Sequence, residues 1–319
     1  MSLSEIAGQN KVIEILHAQF ITDKIAHAYI FAGPEGVGKT KTALELAKLV
    51  NCRNPVDNNP CDACNSCNKI NKNIHPDVHL VDFDWQMKML EEKNPATRIK
   101  IETIQLIQKE INLKPFEGRY RAVIINQAER LNVDSANCLL KTIEEPPAYS
   151  LLILVTTTLE SLPKTIISRC QKLRFAPLSG ELIKSIVPDI PDNLLYLANG
   201  SAHKAIILKE SLEDNYGINF VMELWGEIKS NKMDLIELLP AISGIGRNKE
   251  KLDQCLVNLL YLAREEMVGS SNEINNYAKM INLILTYRKS LRYNVSGELL
   301  LNSLLLELKN ISEGKNICK

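Results

Sequence analysis

The 319 residues carry 38 basic and 38 acidic side chains, a net charge of zero and 45% hydrophobic content. That length calls for two or three domains, and the balanced charge gives no global basic field, so contact with nucleic acid would have to be local or shared with other subunits. No apolar run reaches the ~18–20 residues of a bilayer span, and the opening residues lack the charged-then-apolar order of a signal peptide, so a cytoplasmic chain with no membrane partner is expected.

In chain order, Val12, Ile13, Leu16 and Phe20 mark one face of a helix over 11–20, and Ala28-Tyr29-Ile30-Phe31 reads as a short buried strand. The phosphate-loop pattern Gly33-Pro34-Glu35-Gly36-Val37-Gly38-Lys39-Thr40 follows directly, and Ala43, Leu46, Ala47 and Val50 continue it at helical spacing. In that strand–loop–helix setting the glycines let backbone N–H groups close around phosphate oxygens. Lys39 would reach the β and γ phosphates of ATP, and Thr40 would ligate Mg2+. The alternative is a glycine-rich turn that holds no ligand.

Next comes a Pro/Asn/Asp-rich loop with Cys52, Cys61, Cys64 and Cys67. Eight cysteines in a cytosolic chain argue against a disulfide framework. Four thiolates so close together suit tetrahedral structural Zn2+, which leaves no open position for substrate. An iron–sulfur cluster and free thiols are the alternatives. His75 and His79 read as ordinary loop and strand residues, Cys138 and Cys255 as core, and Cys318 as part of a frayed tail over 313–319.

Val78 to Val81 is the second predicted strand, Ile101, Ile104, Ile107 and Ile111 mark an amphipathic helix, and strands follow near 122–125 and 151–155. The alternation predicts a parallel sheet with helices on both faces. In P-loop ATPases an acidic pair ends the strand beside the P-loop strand, holding magnesium and activating water. Here Asn126 and Gln127 occupy that place; Glu129, two residues on, is a candidate substitute but is expected on a different face of the turn. Nucleotide binding without appreciable hydrolysis is the expectation. Beyond Pro177 strand signals stop: a short helical unit reaches about residue 211, and longer patterns follow, including Leu252, Leu256, Leu259, Leu260 and Ala263, then Leu301, Leu304, Leu305 and Leu308.

Several segments together resemble the clamp-loader branch of the AAA+ ATPases, and within it the delta-prime family of bacterial DNA polymerase III. They are Ile6-Ala7-Gly8-Gln9, His27 to Pro34, the four-cysteine loop, His75-Pro76-Asp77, Ala136 to Pro147, and Leu162 to Cys170. The likeness covers roughly the first 175 residues. It implies an AAA+ domain over 1–176 with the zinc loop at 52–67, a helical lid over 177–211 and an all-α oligomerising collar over 212–319.

The resemblance also implies residue roles. Gly8 and Gln9 would pack near the adenine, Thr157 would sense the γ-phosphate, and Arg169 would be a trans arginine finger reaching a neighbour's ATP. His203 stands where motor subunits carry an arginine sensor. The implied function is that of a non-motor subunit in a hetero-oligomeric loader, part of a polymerase holoenzyme, that helps place the sliding clamp on primed DNA with gamma/tau and delta subunits. An ATP-hydrolysing gamma/tau-type subunit and a zinc-bearing DNA-binding module with a relic P-loop are the alternatives.

Overall fold

The computed structural model describes residues 3–91, 97–210, 217–230, 235–269, 274–291 and 295–313. Cys318 and most of the predicted tail lie outside them. In chain order the first unit contains α1 (Asn10–Ile21), β1 (Ala28–Ala32), α2 (Lys39–Asn51), α3 (Asn65–Asn71), β2 (Val78–Val81), α4 (Phe83–Met89) and α5 (Ile101–Asn112). It continues with β3 (Arg121–Ile125), α6 (Val133–Glu144), β4 (Ser150–Thr156), α7 (Lys164–Ile167), β5 (Gln171–Arg174) and α8 (Gly180–Ile186).

The sheet of the described residues has five strands, all parallel, in the order β2-β3-β4-β1-β5. β1, β3 and β4 are buried along their whole length, as a sheet covered on both faces requires. The pleat divides their side chains by period two. Tyr29, Phe31, Ile124 and Ile153 pack with Leu16 of α1 and Leu46 of α2, while Ile30, Val123, Ile125 and Leu154 pack with Ile104 and Ile107 of α5 and Leu139 of α6. The expected parallel sheet with helices on both faces is therefore what forms.

Two expectations need correction. The strand ending in Asn126 does not lie beside the P-loop strand, because β4 sits between β3 and β1. The cysteine segment is not loop throughout: Cys67 lies on α3, whose first turn is capped by the Cys64 sulfur accepting from Cys67 N–H at 3.5 Å.

Chain contacts divide the protein into two compact units, residues 1–188 with 199–203, and residues 189–198 with 204–319. The second unit is helical among its described residues. Its helices are α9 (Asp192–Ala198), α10 (Ala202–Glu210, whose first two residues belong to the first unit), α11 (Ile218–Ser230), α12 (Leu235–Gly246), α13 (Lys249–Gly269), α14 (Ile274–Ser290) and α15 (Gly297–Ser312). Leu252, Cys255, Leu256 and Leu259 of α13 and Leu301, Leu304, Leu305 and Leu308 of α15 join Trp225 in one core. No helix among the described residues is long and apolar enough to cross a membrane.

Candidate functional site

The strand ends determine where chemistry can gather. β1, β4 and β5 are in register at their carboxyl ends, Ala32 facing both Thr156 and Arg174. In open parallel sheets that edge is where loops leave room for a ligand. A cleft of about 590 Å³ opens there, lined among others by Gly36, Gly38, Lys39, Thr40, Asn126, Gln127, Glu129, Thr157 and His203.

The P-loop is shaped by close approach. A Cβ on Gly33 would stand 2.4 Å from the Phe175 carbonyl oxygen, and one on Gly36, whose φ is +74°, would stand 2.2 Å from Ser201 Oγ and 2.7 Å from His203 Cβ. Ala202 N–H donates to Gly36 O at 3.1 Å, which draws His203 to the cleft. Lys39 is buried, and its ammonium donates to the carbonyls of Gly33, at 2.6 Å, and Pro34. Burial lowers its pKa, and the charges of Glu129 and Glu35 oppose that shift. A phosphate would offer the same ammonium stronger acceptors than two neutral carbonyls.

Thr40 Oγ1 donates to Asn126 Oδ1 at 3.2 Å, so the end of β3 touches the P-loop hydroxyl even though β4 intervenes in the sheet. Asn126 thus occupies the expected place of the magnesium carboxylate with a neutral amide. Glu129 corrects the sequence expectation. It does not turn away but lines the same cleft, on the single 3-10 turn Ala128–Arg130 that follows Gln127 in left-handed backbone (φ +53°).

Thr157 is at the cleft, whereas Gly8 and Gln9 are not among its lining residues. Gln9 is buried and holds the chain together around the loop: it donates to Ala176 O at 2.8 Å, accepts from Ala176 N–H at 3.0 Å and reaches Val37 O at 3.5 Å. Arg169 follows α7 and is also away from the cleft. Its Nε pairs with Glu144 Oε1 at 2.8 Å, and its Nη1 donates to Thr165 O at 3.0 Å, on an exposed edge.

The four cysteine sulfurs lie within 4.8 Å of one another, a spacing that four ligands of one metal ion can adopt. Backbone N–H groups prepare them: Cys61 N–H donates to Cys52 Sγ and Cys64 N–H to Cys61 Sγ, each at 3.3 Å. Burial raises the Cys52 and Cys67 thiols. At Cys64 burial works the same way, but N–H groups of Cys67 and Arg53 outweigh it and bring the thiol down to about 6. His75 and His79 do not join the cluster. The loop hangs from the end of the P-loop helix, since Cys52 is the C-cap of α2 and buried Lys48 pairs with Glu45 and Asp62, each at 2.7 Å.

Sequence reasoning missed why His75-Pro76-Asp77 is there. Asp77 is fully buried and accepts from the N–H groups of Phe116 at 2.7 Å and of Glu117 and Gly118 at 2.8 Å, with Arg121 Nη2 at 3.1 Å. This clamp fixes the entry to β3, and so the strand that delivers Asn126. Its signal is only visible in three dimensions, as the acceptor lies about forty residues before its donors.

A complete P-loop, a wholly parallel sheet and a polar cleft at its carboxyl edge define the class: a P-loop α/β protein joined to a helical unit. A profile of the family described as "DNA polymerase III, delta subunit" matches residues 8–179, over half the chain, and the chain belongs to that clamp-loader family. It is 32% identical over 215 residues to DNA polymerase III subunit gamma of Buchnera aphidicola subsp. Acyrthosiphon pisum (strain APS), covering 67% of this chain and 52% of that protein. With subunit delta' of Bacillus subtilis (strain 168) it shares 34% over 211 residues, 65% of this chain and 60% of that one. With subunit tau/gamma of Haemophilus influenzae (strain ATCC 51907 / DSM 11121 / KW20 / Rd) it shares 34% over 308 residues, 86% of this chain and 43% of the relative. The chain thus spans less than two thirds of the length of these relatives. Among solved structures, a gamma-subunit-related protein of Thermotoga maritima shares the fold, with TM-score 0.52, 20% identity, and coverage of 94% of this chain and 99% of that one.

Proposed function

We propose that this chain is a non-motor, delta-prime-like AAA+ subunit of the DNA polymerase III clamp loader, acting in the cytoplasm within a hetero-oligomer. The observation that carries the reading is the 3.2 Å contact between Thr40 and Asn126. It puts a neutral amide where hydrolysis calls for a magnesium carboxylate, and Gln127 beside it cannot serve as a general base at neutral pH. Nucleotide, if bound, would have its phosphates against the P-loop amides and Lys39, with Thr157 and His203 facing them, and would turn over slowly.

In this reading the chain contributes to hydrolysis on a neighbour instead. Arg169, exposed and held away from its own cleft, is the trans finger for the adjoining gamma/tau subunit's ATP. Leaving Glu144, it would place a planar guanidinium beside charge developing on the transferred phosphoryl group. Residues 177–211 act as the lid and 212–319 as the collar that assembles the ring. Cys52, Cys61, Cys64 and Cys67 hold a structural Zn2+ that folds their loop. Delta, gamma/tau, the sliding clamp and primed DNA are the partners.

A gamma/tau-type ATPase is the second reading, favoured by relatives of that name matching as well as delta' does. Tagged chain recovered from its own cells tests both. Motor, delta and clamp proteins should co-purify, and the isolated chain should hydrolyse ATP near background. Turnover comparable to a motor subunit would establish the second reading, and recovery without loader proteins would remove both.

A further inference from the structure

Beside the cleft lies a buried carboxylate oxygen with no hydrogen-bond donor among the described residues. Glu129 Oε2 is shielded from solvent and makes no hydrogen bond, although its residue lines the space shared by Lys39, Thr40 and Asn126. A carboxylate oxygen withdrawn from water without a donor is costly, and a fold that retains one at a ligand-sized opening has kept an acceptor for something that binds there. The surroundings narrow what that is. Among the described residues the only other carboxylate lining the cleft, Glu35, is exposed on the P-loop, and Asn126 Oδ1 is already engaged by Thr40. A hard dication takes oxygen ligands and favours anionic ones, directly or through its waters.

We propose that Glu129 is the carboxylate of the phosphate cleft, serving the magnesium of a bound nucleotide in place of the acid absent from positions 126 and 127. The assignment rests on the reading of this cleft as a nucleotide site. It explains how a P-loop can keep Mg-nucleotide affinity after its strand-end acid is lost. Glu129 is one short turn beyond β3, which lets it balance cationic charge in the cleft without standing where a catalytic base would.

The test is a titration of the full chain with a fluorescent ADP analogue, in excess EDTA and in millimolar Mg2+. Wild type should bind more tightly with Mg2+. Glu129→Gln should lose about tenfold or more of that gain, the scale of one charge-assisted contact, while binding in EDTA as well as wild type or better because a negative charge near the phosphates is gone. A general folding defect would weaken both conditions together, so opposite responses are the signature. Adding Asn126→Asp to Glu129→Gln should restore the Mg2+ gain by returning a carboxylate beside Thr40. An equal Mg2+ gain in wild type and Glu129→Gln, or equal losses in both conditions, overturns the assignment while leaving the cleft a nucleotide site. No nucleotide binding by wild type in either condition overturns the assignment and the nucleotide reading together.

Discussion

Gly36→Ala should separate backbone strain from crowding at the P-loop. The residue sits at φ +74°, where a non-glycine residue costs about 1–2 kcal/mol. Its new methyl would lie 2.2 Å from Ser201 Oγ, against ordinary contact near 3.4 Å, so the 201–203 segment has to move by more than an ångström or Ser201 has to turn away. Movement breaks the 3.1 Å bond from Ala202 N–H to Gly36 O, worth about 1 kcal/mol. The expected loss is about 2–3 kcal/mol in the first unit, with weaker nucleotide binding because His203 leaves the cleft with its neighbours.

Urea unfolding followed by Trp85 fluorescence, in a Trp225→Phe background so that one reporter remains, reads the first unit alone. A double-mutant cycle with Ser201→Gly isolates the crowding: removing Oγ relieves the tightest contact but leaves the φ penalty and His203 Cβ at 2.7 Å. Gly36→Ala should therefore cost about 1 kcal/mol less on the Ser201→Gly background. A loss under about 0.5 kcal/mol in wild type, or the same loss on both backgrounds, would refute the claim that close approach of this segment shapes the P-loop.

Further outcomes follow from the same geometry. Asp77→Asn, which sets an amide against three backbone donors and an arginine, should cost about 3 kcal/mol in urea midpoints at pH 7. Burial raises the Asp77 pKa, but three N–H groups and Arg121 overcome it and hold it below the ordinary carboxylate value, so its stabilisation is complete above about pH 4 and is lost as pH falls through the depressed native value. The Asp77→Asn variant should accordingly show a shallower acid-side decline than wild type. Purified chain should contain about one zinc, and Cys64→Ser or chelation should lower the melting temperature of the first unit while its sheet persists by circular dichroism; iron, or no metal, would remove the zinc proposal. Arg169→Ala should leave the chain's own melting unchanged, since an exposed ion pair is worth under about 1 kcal/mol, yet slow clamp loading by the reconstituted loader and partly lower its ATPase; wild-type loading rates would defeat the trans role.

Legibility in the sequence tracked burial. β1, β3 and β4 announced themselves because every residue in them is buried, and α5 because four isoleucines recur on one face. β5 gave no such signal: it is an edge strand, Gln171-Lys172-Leu173-Arg174, with only Leu173 buried, and its place beside β1 comes from pairing rather than pattern. α3 and α4 are seven residues each, too short for a helical period, and are started by side-chain caps from Cys64 and Asp82. Strand order could not be read at all, since no local pattern says that β4 should separate β3 from β1.

The misplacement of Glu129 has a different cause, and it bears on function. Counting residues past a strand assumes that the chain keeps its extended direction, whereas Gln127 turns into left-handed backbone and the following 3-10 turn swings residue 129 back toward Lys39. The cleft therefore keeps an acidic side chain, although the motif's own strand-end position lacks one. An acidic group returned to the cleft by a turn can balance a cation, but it lacks the strand-end position beside Thr40 that Asn126 holds. On the proposed reading of the cleft, affinity for Mg-nucleotide would rest on Glu129 and hydrolysis on the strand-end acid that Asn126 replaces, so the second could be lost while the first is kept.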